Sequence, residues 1–322
     1  MANEPIVDIH SITKRYSGHT AVQDLSLAVP RGAVYGLLGP NGAGKTTTIR
    51  MIMNIIVPDE GTISLFGMEA AGRDVSHRVG YLPEERGLYK KMKVHDLLVF
   101  LAETKGVARQ LARTRATEWL DRLGLSEWAR RRVDDLSKGM QQKVQFISCI
   151  LHGPELLILD EPFSGFDPVN TQLMKDVVVE LARGGTTVLF STHIMEQAEK
   201  ICDSVCIIAR GKKVVDGRLA EVRRRHGEQH LTVILGLEDG NPAVARLLAD
   251  RSQVVKADDY GQYAEIEMVP GADPQRLLVE LVRNGAKLSR FEIAEPTLNK
   301  IFIDLVGPDA ARPHAEEAPV HA

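Results

Sequence analysis

A short apolar run that leads into a glycine-rich loop constrains this chain more than any other feature. Residues 34–38 are apolar enough to form a buried strand, and residues 39–46 read Gly-Pro-Asn-Gly-Ala-Gly-Lys-Thr. The loop fits the pattern of a phosphate-binding loop without a mismatch, and residues 47–54 continue with a helical pattern. Strand, loop and helix in this order predict an α/β core that holds the phosphates of a nucleotide.

The chemistry expected of this loop follows from its residue types. Glycine lets the backbone curl until several N–H groups point at one anion, and the next helix turns its positive end to the same place. Lys45 is expected to reach the terminal phosphates, and the Thr46 hydroxyl to bind Mg²⁺. The expected nucleotide-binding residues here are Gly39, Pro40, Asn41, Gly42, Ala43, Gly44, Lys45, Thr46 and Thr47.

A second apolar run ends in two acidic residues. Residues 156–159 read Leu-Leu-Ile-Leu, and Asp160 and Glu161 follow. A buried strand would place Asp160 at its carboxyl end, where α/β folds bind ligands, so that Asp160 can hold Mg²⁺. Glu161 is suited to orient and deprotonate an attacking water. Alone this pattern is often just the end of a strand, but beside a phosphate loop it predicts hydrolysis of the nucleotide.

Changes in pattern along the chain predict its organisation. Helical periodicity without strands indicates a helical insertion at about 87–153, and a charged run at 223–228 reads as a solvated linker or a helix end. Beyond it, a strand at 230–235, a helix at 243–248 and further short elements indicate α+β structure. We therefore predict an α/β P-loop NTPase core at 1–226 with a helical insertion, a small C-terminal α+β domain at 227–307 and a disordered tail at 308–322.

Composition and termini argue against several classes of protein. The net charge of −3 does not suggest wholesale nucleic-acid binding. The three cysteines, Cys149, Cys202 and Cys206, form no CxxC pair, which argues against a disulfide framework or zinc site and favours a reducing cytosol. The N-terminus lacks the layout of a signal peptide, and no apolar run approaches the ~20 residues that span a bilayer. The chain is expected to reach a membrane only through a partner.

One further segment gives the chain a family resemblance. Residues 136–142 read Leu-Ser-Lys-Gly-Met-Gln-Gln and lie upstream of the acidic strand. Together with the loop, they resemble the nucleotide-binding subunits of ABC transporters, whose signature motif is LSGGQ. Ser137 and Gly139 keep that motif, whereas Lys138 and Met140 depart from it. The resemblance implies that Ser137, Gly139 and Gln141 bind ATP held by a second subunit in a head-to-tail dimer.

Four more residues match positions of the same family. His193 corresponds to the switch histidine that contacts the γ-phosphate and helps to position Glu161. Asp167 corresponds to the key residue of the loop that links the two sites across the dimer. Tyr16 corresponds to the aromatic residue that stacks on adenine. Glu84 stands where the family carries a glutamine, and its carboxylate could still ligate Mg²⁺.

The resemblance also indicates a branch of the family. Residues 80–89 and 137–140 are similar to sodium-exporter-like ATPase subunits of the ABC-2 type, and residues 291–302 look like their C-terminal domain. It implies ATP and Mg²⁺ as cofactors, a second ATPase subunit in a homodimer or heterodimer, and no nucleic-acid partner. It further implies export through separate polytopic permeases at the inner face of the cell membrane.

Three other functions are weighed against this one. A soluble ABC ATPase that remodels ribosomes or nucleic acid usually carries two nucleotide domains or a long coiled coil, and neither pattern is seen. An unrelated P-loop kinase or GTPase would lack the signature segment. A regulator that does not hydrolyse ATP is disfavoured by the intact Lys45, Asp160, Glu161 and His193. The cargo and the role of residues 227–307 are left open.

Overall fold

The chain divides into two compact units. The computed structural model describes residues 4–69, 75–85, 87–229, 231–237, 248–260 and 263–307. The first unit comprises Met1–Asp216 and the second Gly217–Pro308. Two predicted segments lie outside the described residues. They are the tail at 308–322 and the helix at 243–248, of which only residue 248 is described.

The first unit combines strands and helices in the order expected of an α/β fold. Its strands are β1 (Val7–Tyr16), β2 (His19–Val29), β3 (Val34–Leu38), β4 (Glu60–Leu65), β5 (Met68–Glu69), β6 (Val79–Leu82), β7 (Leu156–Asp160), β8 (Thr187–Thr192), β9 (Ser204–Ala209) and β10 (Lys212–Arg218). Its helices are α1 (Lys45–Ile52), α2 (Val94–Thr104), α3 (Arg109–Arg122), α4 (Lys138–Ile150), α5 (Pro168–Arg183) and α6 (Met195–Ile201).

A six-stranded sheet of order β10-β9-β3-β8-β7-β6 forms the centre of this unit. The pairs β3–β8, β3–β9, β6–β7 and β7–β8 are parallel. Every residue of β3, β7, β8 and β9 is buried, as expected of strands that are covered on both faces. Because β3, β7 and β8 run in the same direction, the segments that follow them meet at one edge of the sheet.

A second sheet, of order β2-β1-β4-β5, is antiparallel and was not expected. The sequence predicted an α/β core, and this additional antiparallel sheet lies beside its parallel strands in the same unit. The strands β1 and β2 escaped detection because their burial does not alternate regularly. The register of β1 shifts between Ile9 and Ile12, where Ser11 has a φ of 48°.

The helical insertion contains α2, α3 and α4, as expected. Residues 126–128 and 133–135 form two short 3₁₀ turns between α3 and α4. Helix α4 is the element that joins the insertion to the central sheet, because it packs against β6 as well as against α2 and α3. In the described part of the chain, no helix is both long enough and apolar enough to cross a membrane.

The second unit is a small α+β domain. It contains the helices α7 (Leu219–Gln229), α8 (Pro274–Arg283) and α9 (Leu298–Val306) and the strands β11 (Thr232–Leu237), β12 (Val254–Asp259), β13 (Ala264–Met268) and β14 (Leu288–Ala294). The strands form an antiparallel sheet of order β12-β13-β11-β14. Val233, Leu235, Ile266, Leu277 and Leu281 are among the residues of its apolar core.

The charged run at 223–228 forms the C-terminal half of α7, which agrees with a helix end and not with a linker. The structure therefore divides the chain after Asp216 instead of after residue 226. A solvated linker was the other alternative, because the run is so rich in charge. His226 is nevertheless buried, and its Nε2 lies 2.9 Å from Oδ2 of Asp304 on α9. The local sequence around residue 226 does not reveal this contact, because its partner lies 78 residues away.

Candidate nucleotide site

The loop between β3 and α1 requires glycine at particular positions. Gly39 has a φ of 152°, and a Cβ there would lie 2.1 Å from the carbonyl oxygen of Ile208. Gly44 has a φ of 104°, and a Cβ there would lie 2.5 Å from the carbonyl oxygen of Ala21. No larger residue fits either position without displacing backbone. The loop is thus held in a tight curl at the carboxyl edge of the parallel sheet.

Lys45 lies buried beneath this loop, with 6% of its side chain exposed. Its Nζ donates hydrogen bonds to the carbonyl oxygens of Gly39 (2.8 Å) and Pro40 (3.1 Å) and lies 3.6 Å from Oε1 of Glu161. Burial lowers the pKa of Lys45, while the charges of Glu161 and Asp160 act to raise it. A buried ammonium held beneath the glycine-rich loop is well placed to attract a phosphate.

Asp160 ends β7 and is almost completely buried, with 1% of the residue exposed. Its Oδ1 accepts a hydrogen bond from the Ser191 hydroxyl. Burial raises the pKa of Asp160, and the hydrogen bonds from Ser191 and Thr46 oppose that rise. Oδ2 is buried and has no hydrogen-bond partner among the described residues. A buried oxygen without a hydrogen bond lowers the stability of the fold unless a ligand binds to it.

Glu161 follows in a left-handed backbone conformation, with a φ of 48°. Its N–H donates to the Ser191 hydroxyl oxygen at 3.1 Å, and its Oε1 lies 2.9 Å from Nδ1 of His193. The Glu161 side chain is 10% exposed, whereas that of His193 is 42% exposed. The carboxylate is therefore confined between His193 on its open side and Lys45 on its buried side.

Ser191 is the member of this cluster that the sequence did not reveal. Its single hydroxyl donates to Asp160 and accepts from the backbone of Glu161, so that it orders both acidic residues. The only signal was its position at the end of a buried strand, next to the Thr-His pair that drew attention to His193. Serine is too common at such positions for that signal to be informative by itself.

A cavity of about 180 Å³ lies beside the two acidic residues. It is lined by Leu82, Pro83, Glu84, Gln142, Gln145, Asp160, Glu161 and Ser164. Glu84 is thus brought to the same cavity as Asp160 and Glu161. Within the described residues, no three His, Cys, Asp or Glu side chains form a metal site by themselves. Mg²⁺ often takes only one or two carboxylates and completes its shell with water and phosphate oxygens.

The remaining predicted residues lie outside this cluster in the described part of the chain. Ser137 caps α4 by accepting from Met140 N at 3.3 Å, next to Gly139 in the first turn. Asp167 caps α5 by accepting from Asn170 N at 2.9 Å, and its hydrogen bonds with Asn170 lower its pKa. Both helices therefore present a capped, positively polarised N-terminus.

Tyr16 and Gln141 make contacts with other residues. Tyr16 is the last residue of β1 and is 49% exposed. Nζ of Lys14 lies 5.8 Å from the centroid of its ring. Gln141 uses its Nε2 to bind the carbonyl oxygens of Val133 (3.2 Å) and Leu136 (3.0 Å). The Gln141 amide thus stabilises the loop that precedes the signature segment.

Comparison with protein families gives two matches that together span both units. Residues 22–164 match the model described as ABC transporter, and residues 217–306 match the model described as ATP-binding protein DrrA1-3-like, C-terminal domain. The first match includes the loop, Lys45, the signature segment, Asp160 and Glu161.

Individual relatives resemble the chain over nearly its whole length. The uncharacterized ABC transporter ATP-binding protein YhaQ of Bacillus subtilis is 40% identical over 94% of this chain and 99% of that protein. The daunorubicin/doxorubicin resistance ATP-binding protein DrrA of Streptomyces peucetius is 31% identical over 97% of this chain and 96% of its own length. A solved structure of the ATP-binding subunit of an ABC transporter has a TM-score of 0.65 and 31% identity, and the match covers 69% of this chain and 93% of that one.

Proposed function

The chain belongs to the ABC transporter family of ATP-binding proteins, and we propose that it binds and hydrolyses ATP to drive export through separate membrane subunits. One observation carries the proposal: Lys45, Asp160 and Glu161 form a buried, charged cluster beneath the glycine-rich loop, with His193 against Glu161. Buried charges are costly, and their grouping at a ligand-binding edge indicates a functional site. The similarity to a drug-resistance ATP-binding protein favours an exporter.

The phosphates of ATP would bind at the loop and the start of α1. Backbone N–H groups within residues 41–46 and the N-terminal end of α1 supply fixed positive polarity there. Lys45 now donates to two loop carbonyls and can turn its remaining donor capacity toward a phosphate oxygen. Tyr16, on β1, is the residue that we assign to stacking on the adenine ring.

The donor set also fits Mg²⁺. Asp160 Oδ2 lacks a protein partner among the described residues, the Thr46 hydroxyl lies at the same carboxylate, and Glu84 lines the adjoining cavity. These are the hard oxygen ligands that Mg²⁺ prefers. When bound, the ion would neutralise charge that develops on the phosphate oxygens.

Glu161 is the group that we assign as the general base. Water would attack the γ-phosphorus, the bond to the ADP oxygen would break, and the proton of the water would pass to the Glu161 carboxylate. Contact with His193 and Lys45 fixes the direction of this carboxylate. His193 is the more exposed of the two partners, which suits a residue that also meets the γ-phosphate.

A complete site would require a second ATPase subunit. Ser137 caps α4 and Gly139 lies in its first turn, and in the ABC family the corresponding motif residues meet ATP held by the neighbouring subunit. We therefore assign them, with Gln141 and Asp167, to the site of a partner subunit in a head-to-tail dimer. Single copies should hydrolyse ATP poorly, so that turnover per chain should rise with protein concentration.

The enzymatic part of the proposal is tested with the purified full-length chain. Release of phosphate from ATP is measured with Mg²⁺, alongside the variants Lys45→Ala and Glu84→Gln. Lys45→Ala should abolish ATP binding and turnover, because a phosphate partner is lost. Glu84→Gln should change the Mg²⁺ dependence; unchanged turnover and Mg²⁺ dependence would exclude Glu84 from the metal site. Turnover that survives Lys45→Ala would contradict the proposed site.

The transport part is tested by what accompanies the chain in its host. The Glu161→Gln variant should trap the ATP-bound state, and gently solubilised membranes should then yield a polytopic membrane protein in stoichiometric amount. Its recovery would place the chain at the inner face of the membrane and lead to the cargo. Recovery only with ribosomes or nucleic acid would support the alternative, a soluble remodelling ATPase, and would overturn the exporter.

A further inference from the structure

Gln142, on helix α4, contacts the turn that follows Glu161 with its buried side-chain amide. Nε2 of Gln142 donates hydrogen bonds to the carbonyl oxygens of Pro162 (3.0 Å) and Ser164 (3.1 Å). Only 9% of Gln142 is exposed. Gln145, one turn later, donates from its Nε2 to the carbonyl oxygen of Glu85 at 3.3 Å. Helix α4 is thereby tied to the loop beside each of the acidic residues Glu84 and Glu161.

The turn that Gln142 holds begins with an unfavourable backbone conformation. Glu161 has a φ of 48°, in the left-handed region that residues with a side chain rarely adopt. Such a conformation persists only where surrounding contacts enforce it. The Glu161 N–H donates to Ser191 Oγ, and Ser164 N donates to the Glu161 carbonyl at 3.2 Å. The two bonds from Gln142 fix the other side of the same turn.

A buried glutamine at this position is hard to explain by packing alone. Its Oε1 is buried without a hydrogen-bond partner among the described residues, which is unfavourable for an amide. An apolar side chain of similar length would fill the space without that cost. Gln142 also lines the cavity that Asp160 and Glu161 line, so this buried amide stands next to the acidic residues.

We propose that Gln142 is a positioning residue for ATP hydrolysis, acting through the turn at 162–164 on the direction of the Glu161 carboxylate. The inference rests on the proposed function, since it gives Gln142 a task within that reaction. Because α4 begins at the signature segment, displacement of this helix would move the turn after the base directly. The helical insertion and the base are thus joined by one side chain.

The test is Gln142→Met, which keeps the length of the side chain and removes both amide donors. We expect kcat to fall at least about tenfold, with the KM for ATP and the affinity for ATP changed less than about twofold, because the loop and Lys45 are untouched. The matched control is Gln172→Met, the same replacement at an exposed position of α5, which should leave kcat and KM unchanged.

A double-mutant cycle separates positioning from general damage. If Gln142 acts through Glu161, Gln142→Met should cause no further loss of turnover in the Glu161→Gln background. Parallel losses of kcat and ATP affinity, a lowered melting temperature with unchanged kcat, or full additivity in the cycle would each overturn the inference. If Gln142→Met does not fold, Gln142→Asn, which keeps the amide but withdraws it by one methylene, should show the same selective loss of kcat.

Failure of this inference is distinguishable from failure of the proposed function. Turnover that Lys45→Ala abolishes but Gln142→Met and Gln142→Asn leave intact would overturn the role of Gln142 alone. The absence of any turnover that depends on Lys45 in the unaltered chain would overturn the ATPase itself.

Discussion

The two units of this chain treat polar side chains differently. In the first unit, Lys45, Asp160, Ser191 and Gln142 are buried together at one edge of a parallel sheet. In the second unit, His226 and Thr232 are the buried polar residues within its described part. Its charges otherwise lie largely at the surface, in ion pairs such as Lys256–Asp258. Exposed pairs contribute little to stability, so this unit depends on its apolar core.

This difference shows where function can be inferred from structure. Burial of charge is unfavourable unless the charge is paired, so a cluster of buried charges is retained for a reason other than stability. The first unit has such a cluster. The described part of the second unit offers a packed apolar core and a charged surface.

The largest expected effect comes from the same chemical change made in each unit. Glu161→Gln should lower ATP turnover by about 10²–10³-fold, because it removes the carboxylate that we propose as the general base. Glu292→Gln, at an exposed ion pair with Arg290 on β14, should leave turnover within about twofold of the unaltered chain. Phosphate release at saturating ATP measures both. A loss of similar size in both variants would break the comparison.

A substitution in the core of the second unit should destabilise that unit without lowering the ATP affinity of the first. Leu281, on α8, is fully buried, and Leu281→Ala should lower the free energy of unfolding of this unit by about 2–5 kcal/mol. The neighbouring Val282 is 57% exposed, and Val282→Ala should change stability by less than about 0.5 kcal/mol. Hydrogen exchange resolved along the chain measures both, and a loss of ATP affinity in Leu281→Ala would contradict independence of the units.

Ser191 tests how far the cluster depends on one hydroxyl. Ser191→Ala removes a hydrogen bond from Asp160 and one from the Glu161 backbone, which should cost about 1–3 kcal/mol and lower kcat about tenfold or more. Ser289→Ala, at an exposed position of β14, serves as the control in the second unit. Unchanged kcat in Ser191→Ala would show that the strand alone positions the two acids.

The smallest expected effect is a dependence of stability on pH within the first unit. His152, after α4, has its pKa lowered to about 4, mainly by burial. The unfolded chain therefore binds a proton more readily than the folded one between about pH 6.5 and 4, and stability should fall across that window as the pH is lowered, by roughly 2 kcal/mol.

Melting temperatures between pH 4 and pH 7 test this expectation. His152→Gln should reduce the slope in that window, whereas His10→Gln, which alters an exposed histidine paired with Asp8, should leave it unchanged. An identical pH dependence in all three proteins would show that other groups control the acid limit.

Much of the fold could be predicted from local patterns. The strands at 34–38 and 156–160 and helices α2, α3, α8 and α9 follow from runs of apolar residues with the period of each element. The antiparallel sheet of the first unit was missed, because bulges in β1 interrupt the alternation that identifies a strand. The charged run in α7 left a linker and a helix end both open, because charge alone does not distinguish a linker from a helix that buries one face.

What the sequence by itself determined is the chemistry that this chain can perform. The glycines, Lys45, Asp160, Glu161 and the signature segment identify a nucleotide-hydrolysing ABC subunit, because each residue type is tied to its task by backbone freedom, charge or proton affinity. Only the tertiary structure decided how these groups are held. Ser191 and Gln142 lie 30 and 19 residues from Glu161 in the printed sequence, yet each binds the backbone at or just after it. Parallel strands and a packed helix bring them there, and no local pattern encodes contacts over such separations.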